Sequence, residues 1–257
     1  MDSLDSFLSN RVEQLVAGRP APIDLRAIAP QCGVLSVEER EMIPEAVMMP
    51  EGAGFRIYVQ SNFNQLPGAR VRQRFSLAHE IAHTFFFETR DGTMKPLRGA
   101  PTGERLEAAC HQGAALLLVP YAQLRRELKS APRPLGANCL GQLALRFDVS
   151  IEVIMRRVHG VGAFEGQFAP ALLRHQPSGA FTIEYAVYPP WLKALLPTPR
   201  RGLDFMKWFG VRNGRHGDRD VAPGIEDCWT KETPQGLLVA RAIDITASLR
   251  IAELQIG

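Results

Sequence analysis

The segment His79-Glu80-Ile81-Ala82-His83 sets two imidazoles four residues apart, with a carboxylate beside the first. On a helix, positions i and i+4 share one face and lie about 6 Å apart. Two imidazoles so placed can grip one Zn²⁺ at ~2.0–2.1 Å each. Glu80 then reaches water at the metal without binding the metal itself. Zinc draws the pKa of that water down toward ~7, and Glu80 can take the proton, which is the chemistry of metal-assisted hydrolysis. A chance H-E-x-x-H on an amphipathic helix is the competing explanation. The apolar flanks weigh against it. Phe75, Leu77, Ala78, Ile81, Phe85 and Phe86 should half-bury both histidines, which without a metal would need other polar partners.

A catalytic zinc usually keeps three protein ligands and one open position. The next helical segment offers Glu104, Glu107 and His111. Glu107 is the preferred third ligand, giving a His₂Glu set with His79 and His83. It follows His83 by 24 residues, on a segment short enough to fold back. His111 shares its face at i+4 and becomes a partner that orients a ligand imidazole. The rival arrangement makes His111 the ligand and sets Glu107 behind it. Glu104 reads as an acidic residue favoured in the first helical turn. The metal is expected to be Zn²⁺, with Mn²⁺ as the alternative, because such a donor set accepts several divalent ions. Tyr121 and Tyr58 are weak candidates for stabilising an oxyanion, and packing is the preferred role for each. Cys110 has no His/Asn arrangement around it and reads as a packing residue.

Several elements must position these groups. Leu4 to Ala17 has helical apolar spacing, closed by Arg19-Pro20-Ala21-Pro22. Asp24 is a candidate N-cap for a short helix ending near Ala29. Phe55 to Val59 alternates like a strand and could accept a substrate strand or simply lie in the core. The motif helix is expected over about 71–87 and a Gly/Pro-rich loop over 91–103. A second helix, 104–119, is rich in Ala and Leu and stops at Pro120. A basic amphipathic helix follows over 121–129. Two short helices surround Asp148-Val149-Ser150. Strands are expected over 181–188, 237–245 and 248–256, with an irregular Trp-, Pro- and Arg-rich stretch over 189–234.

With 46% hydrophobic and 22% charged residues among 257, the chain can bury a core and is not disordered as a whole. Its net charge of +3 is too small to signal nucleic-acid binding. No apolar run reaches the ~18–20 residues of a membrane span, and the acidic start does not look like a secretory signal. Cys32, Cys110, Cys139 and Cys228 are scattered and form no CxxC pair. That suggests reduced thiols and a cytoplasmic location.

Arg74-Phe75-Ser76-Leu77-Ala78-His79-Glu80-Ile81-Ala82-His83 resembles the hallmark helix of the ImmA/IrrE-type metallopeptidases. Glu107 through Ala114-Ala115-Leu116-Leu117-Leu118-Val119-Pro120 is similar to that family's second hallmark. Pro22 to Ala29 with Cys32-Gly33-Val34 resembles its N-terminal region, and Leu143 to Ser150 the helical module after the peptidase core. The resemblance spans about 22–160. It implies that His79, His83 and Glu107 hold zinc and that Glu80 is the catalytic glutamate. It also implies cleavage of a regulatory protein, typically a helix-turn-helix repressor, in a stress or mobile-element response. His111, Gly113 and Cys110 depart from the family's usual residues.

The expected fold is α+β. A zincin-like core with a small sheet spans 1–130, a helix-turn-helix-like module 131–165, and a partly β domain 166–257. In IrrE proteins a GAF-like sensor occupies that last place. Arg156 and Arg157 are a thin basis for DNA contact. The basic run Arg200 to Arg219, with Trp208 and Phe209, reads more readily as a solvated loop than as a nucleic-acid surface. The other class of function is a protein-binding or DNA-associated regulator that keeps the metal site without cleaving. Neither the substrate's identity nor the oligomeric state follows from the residues.

Overall fold

The structure is a computed structural model and describes residues 4–61, 68–132, 135–164, 168–209, 227–233, 236–246 and 249–256. Contacts divide the chain into two units. The first is Met1–Lys129 with Leu143–Arg157, and the second is Ser130–Gln142 with Val158–Gly257.

The first unit opens with α1 (Leu4–Val16), which buries Leu8, Val12, Leu15 and Val16 at helical spacing. Then comes α2 (Leu25–Ile28), where the Asp24 side chain accepts a hydrogen bond from the Ala27 N–H as an N-cap. A turn of 3₁₀-helix, Ala29–Cys32, ends at Gly33 in the left-handed region. Three strands follow: β1 (Val34–Arg40), β2 (Ala46–Glu51) and β3 (Gly54–Gln60). They pair in the order β1-β3-β2, with β1 parallel and β2 antiparallel to β3. The alternating segment 55–59 is thus the central strand, hydrogen-bonded on both sides. Only β1 and β2 offer an edge to an incoming chain.

The motif helix is α3 (Ala69–Thr84). A hairpin of β4 (Phe87–Arg90) and β5 (Thr93–Pro96) occupies the first part of the expected loop. The second site helix is α4 (Glu104–Leu118), followed by α5 (Tyr121–Ser130), α6 (Ala137–Phe147) and α7 (Ile151–Gly160). Where α4 packs on α3, a Cβ added to Gly113 would lie 2.9 Å from the Ala82 Cβ. A larger residue at 113 would hold the two helices apart.

In the second unit lie β6 (Phe168–His175), β7 (Phe181–Ala186), α8 (Pro190–Lys193), α9 (Phe205–Phe209), β8 (Asp227–Thr233), β9 (Gly236–Thr246) and β10 (Leu249–Ile256). The strands form an antiparallel sheet ordered β7-β6-β10-β9-β8. Leu192, Phe205, Trp208 and Phe209 cluster with Ala171, Leu173, Ala240, Ala242 and Leu254. Among the described residues, the stretch 189–234 therefore contains two short helices and a strand. Arg212, Arg215, His216 and Arg219 of the basic run lie outside the described residues. The architecture is a mixture of helices and sheets, an α+β fold. No helix among the described residues is long and apolar enough to cross a membrane.

Candidate metal centre

The register of α3 is set by polar ties along its length. Arg74 reaches the Ile23 carbonyl with Nη2 (3.1 Å) and pairs with Asp148 through Nε (3.1 Å). Arg70 also pairs with Asp148, at 2.9 Å. Asp148 sits at φ 53 in the turn before α7. Ser76 donates to Glu45 (2.8 Å), and Arg72 pairs with the same carboxylate. Glu45 immediately precedes β2, so these two contacts fix the start of that strand on the helix.

The i, i+4 spacing brings His79 and His83 onto one side of α3, with their Nε2 atoms 3.1 Å apart. Glu107 faces both from α4. Its Oε2 lies 3.2 Å from His79 Nε2, and its Oε1 3.6 Å from His83 Nε2. Tetrahedral bonds of ~2.0–2.1 Å separate ligand atoms by roughly 3.3–3.4 Å, so this donor set has the spacing a zinc ion requires. His79, Glu107 and His111 also bring one ligand atom each within 4.8 Å of one another. His79 Nδ1 is buried and has no hydrogen-bond partner among the described residues.

The electrostatics suit a cation. Burial lowers the pKa of His79 to about 4, assisted by His111 and His83 and opposed by Glu107. Burial also lowers that of His83, opposed by Glu107. Both shifts favour neutral imidazole, the form that binds metals. Burial raises the Glu80 carboxyl to about 7, with the negative charge of Glu107 adding and a hydrogen bond from the Met48 main chain opposing. A carboxyl tuned near neutrality is matched to proton transfer.

That bond involves a residue absent from the sequence-based candidates. The Gln60 N–H donates to the Glu45 carbonyl (2.9 Å), so Glu45, Val47 and Met49 turn their main-chain groups toward β3. Ala46, Met48 and Pro50 therefore turn theirs outward. The main chain of Met48, on that outward side, favours the charged form of Glu80. Its role is invisible in sequence, because any non-proline residue supplies the same N–H.

His111 is exposed and bonds through Nδ1 to the Glu107 carbonyl at 2.8 Å. A carbonyl only accepts, so Nδ1 carries a proton. The ring packs edge-on to His79 at 4.5 Å between centroids. Glu104 is exposed in the first turn of α4. Tyr58 lies under the Arg40 guanidinium (3.9 Å to the ring centroid) and Tyr121 beside Arg125 (4.9 Å). Neither makes a hydrogen bond or ring contact with His79, Glu80, His83 or Glu107 among the described residues. Cys110 is buried, which pushes its thiol well above the usual range. Arg156 pairs with Glu152 (2.8 Å), and Arg157 turns inward to the Val119 carbonyl (3.1 Å). Arg157 is thus drawn away from solvent, while Arg156 stays exposed on α7.

Two helices thus deliver these groups, α3 from H-E-x-x-H and α4 from an acidic residue downstream. Residues 68–159, running from just before α3 to the end of α7, match the IrrE N-terminal-like domain. The chain is similar to the radiation response metalloprotease IrrE of Deinococcus deserti, with 42% identity over 83 residues. That match covers 31% of this chain and 28% of the relative. Both findings support the ImmA/IrrE family over this part of the chain.

Proposed function

We propose that the protein is a zinc-dependent endopeptidase in which His79, His83 and Glu107 hold the ion and Glu80 is the general base. The observation that carries this reading is the Glu107 carboxylate, which turns one oxygen to each imidazole of the motif. When bound, zinc supplies Lewis acidity that activates water and polarises the scissile carbonyl. Glu80 accepts the proton on its carboxylate and passes it to the leaving amine. The Met48 main chain favours the charged form of that carboxylate. The outer edge of β2 has no strand partner among the described residues. An extended substrate laid along it bonds main chain to main chain beside Glu80. The core over 1–130 is then zincin-like, α6 and α7 form a helix-turn-helix-like module within 131–165, and 166–257 is a separate partly β domain. His111 steadies the site behind the ligands.

The substrate is a regulatory protein, a helix-turn-helix repressor, cut in a cytoplasmic stress or mobile-element response. The family resemblance supports this assignment, and no separate contact in the site does. The test is co-expression with the transcription factor encoded beside this gene. A truncated factor that disappears with Glu80→Gln is the expected result. A response that survives Glu80→Gln would favour the non-cleaving regulator instead.

A further inference from the structure

A second concave site lies in the first unit, a groove of about 900 Å³ between α1, the start of the β4–β5 hairpin and the loop leading into α4. Phe7, Phe86 and Leu97 supply its apolar lining, with the Phe7 and Phe86 rings 5.7 Å apart. Arg11, Arg98 and Arg105 stand around them. Arg11 lies over the Phe85 ring at 5.9 Å. None of the three guanidiniums has an ion-pair partner among the described residues. Glu88 is the one carboxylate lining the groove, and Arg90 pairs with it. The groove thus presents uncompensated positive charge around an aromatic floor.

The arrangement fits a polypeptide better than a small molecule. Small-molecule sites bring a few polar groups together in depth. Here Arg98 and Arg105 are exposed and Phe86 is buried, so charge rims an apolar centre, as in protein interfaces rich in aromatic residues and arginine. The position also matters. Phe86 lies three residues beyond His83, and Arg105 two before Glu107, so the groove opens off the ends of both helices that form the metal centre.

We propose that this groove docks an acidic segment of the protein substrate, with an apolar side chain packed onto the Phe7–Phe86 floor and flanking carboxylates on Arg98, Arg105 and Arg11. It rests on the peptidase reading only in assigning that segment to the substrate. Charge complementarity then favours partners with an Asp/Glu-rich stretch interrupted by Leu or Phe, and long-range attraction speeds their encounter.

The test uses the full chain carrying Glu80→Gln, so that docking is read without cleavage. The probe is a rhodamine-labelled hexapeptide, Glu-Asp-Leu-Phe-Asp-Glu, compared by fluorescence anisotropy with Gln-Asn-Leu-Phe-Asn-Gln. The acidic peptide should bind at least tenfold more tightly, with the difference shrinking as salt rises. R98E/R105E should abolish the preference while the circular dichroism spectrum stays unchanged, and R98A should reduce it. Equal binding of the two peptides, or an undiminished preference in both variants, would overturn the proposal. So would saturable binding of laurate at the groove with no binding of either peptide. A chain that fails to hold zinc or to cleave strikes the peptidase reading instead and leaves this measurement standing.

Discussion

The Glu80 carboxylate is largely buried beside the Met48 main chain, whereas that of Glu107 is 55% exposed and lies against two imidazoles. The proposed function assigns these two like groups different work, and substitution separates them. Glu80→Gln keeps shape and polarity but cannot accept a proton. It should lower kcat by about 10²–10⁴-fold and leave zinc content at one per chain by elemental analysis. Glu107→Ala should remove a ligand and abolish stoichiometric zinc. His111→Ala should weaken zinc by only about 10–100-fold, the usual effect of a group behind the ligands. Competition with a chromophoric chelator measures both. Loss at His111 as complete as at Glu107 would make His111 the ligand, which its closeness to His79 and Glu107 would then explain.

At the scale of elements, the α3–α4 contact decides whether Glu107 reaches His79 and His83. Glycine inside a helix ordinarily costs about 0.5–1 kcal/mol relative to alanine, so Gly113→Ala elsewhere would stabilise. Here the added Cβ meets the Ala82 Cβ at 2.9 Å, and neither atom sits on a flexible side chain. Overpacking of this kind costs about 1–3 kcal/mol. Gly113→Ala should therefore lower the unfolding midpoint and weaken zinc binding together, and Ala82→Gly should restore both. In the sheet of the second unit, Glu184 on β7 bonds Arg174 (2.8 Å) and Arg201 (3.0 Å). Burial raises its pKa, but the two guanidiniums together outweigh burial and hold it below the ordinary value. The sign follows. This contribution is complete above the unfolded carboxyl pKa of about 4.3 and is lost as pH falls through the lower folded value. Glu184→Gln should flatten the acid limb of the stability profile while leaving its neutral plateau lower.

At the scale of the whole molecule, Trp191, Trp208 and Trp229 all lie in the second unit and the candidate metal centre in the first. Tryptophan fluorescence thus reports the second unit, and far-ultraviolet circular dichroism reports both. An ion that binds only the folded state stabilises it by about 2.7 kcal/mol at a hundredfold excess over Kd. Removing zinc with a chelator should shift the part of the dichroism transition belonging to the first unit and leave the fluorescence midpoint in place. Coincident shifts in both signals would mean that the two units unfold as one.

Local chemistry was legible in the residues. The motif helix, the helix that bears Glu107, the Asp24 cap and the pair of helices around Asp148 all follow from short-range rules of spacing, capping and turn formation. Strands β1, β2, β6 and β8 did not show. β1 ends in Glu38-Glu39-Arg40, and β2 and β6 carry Pro50 and Pro170. Their pairing comes from partners elsewhere in the chain, which no local pattern records. The site divides the same way. Two histidines one helical turn apart announce themselves, because the helix alone brings them together. Only the tertiary structure could decide that Glu107 meets both of them, that β2 runs beside Glu80 and that Arg157 turns inward. Each depends on how closely separate elements approach, and that distance is set by small contacts such as Gly113 on Ala82.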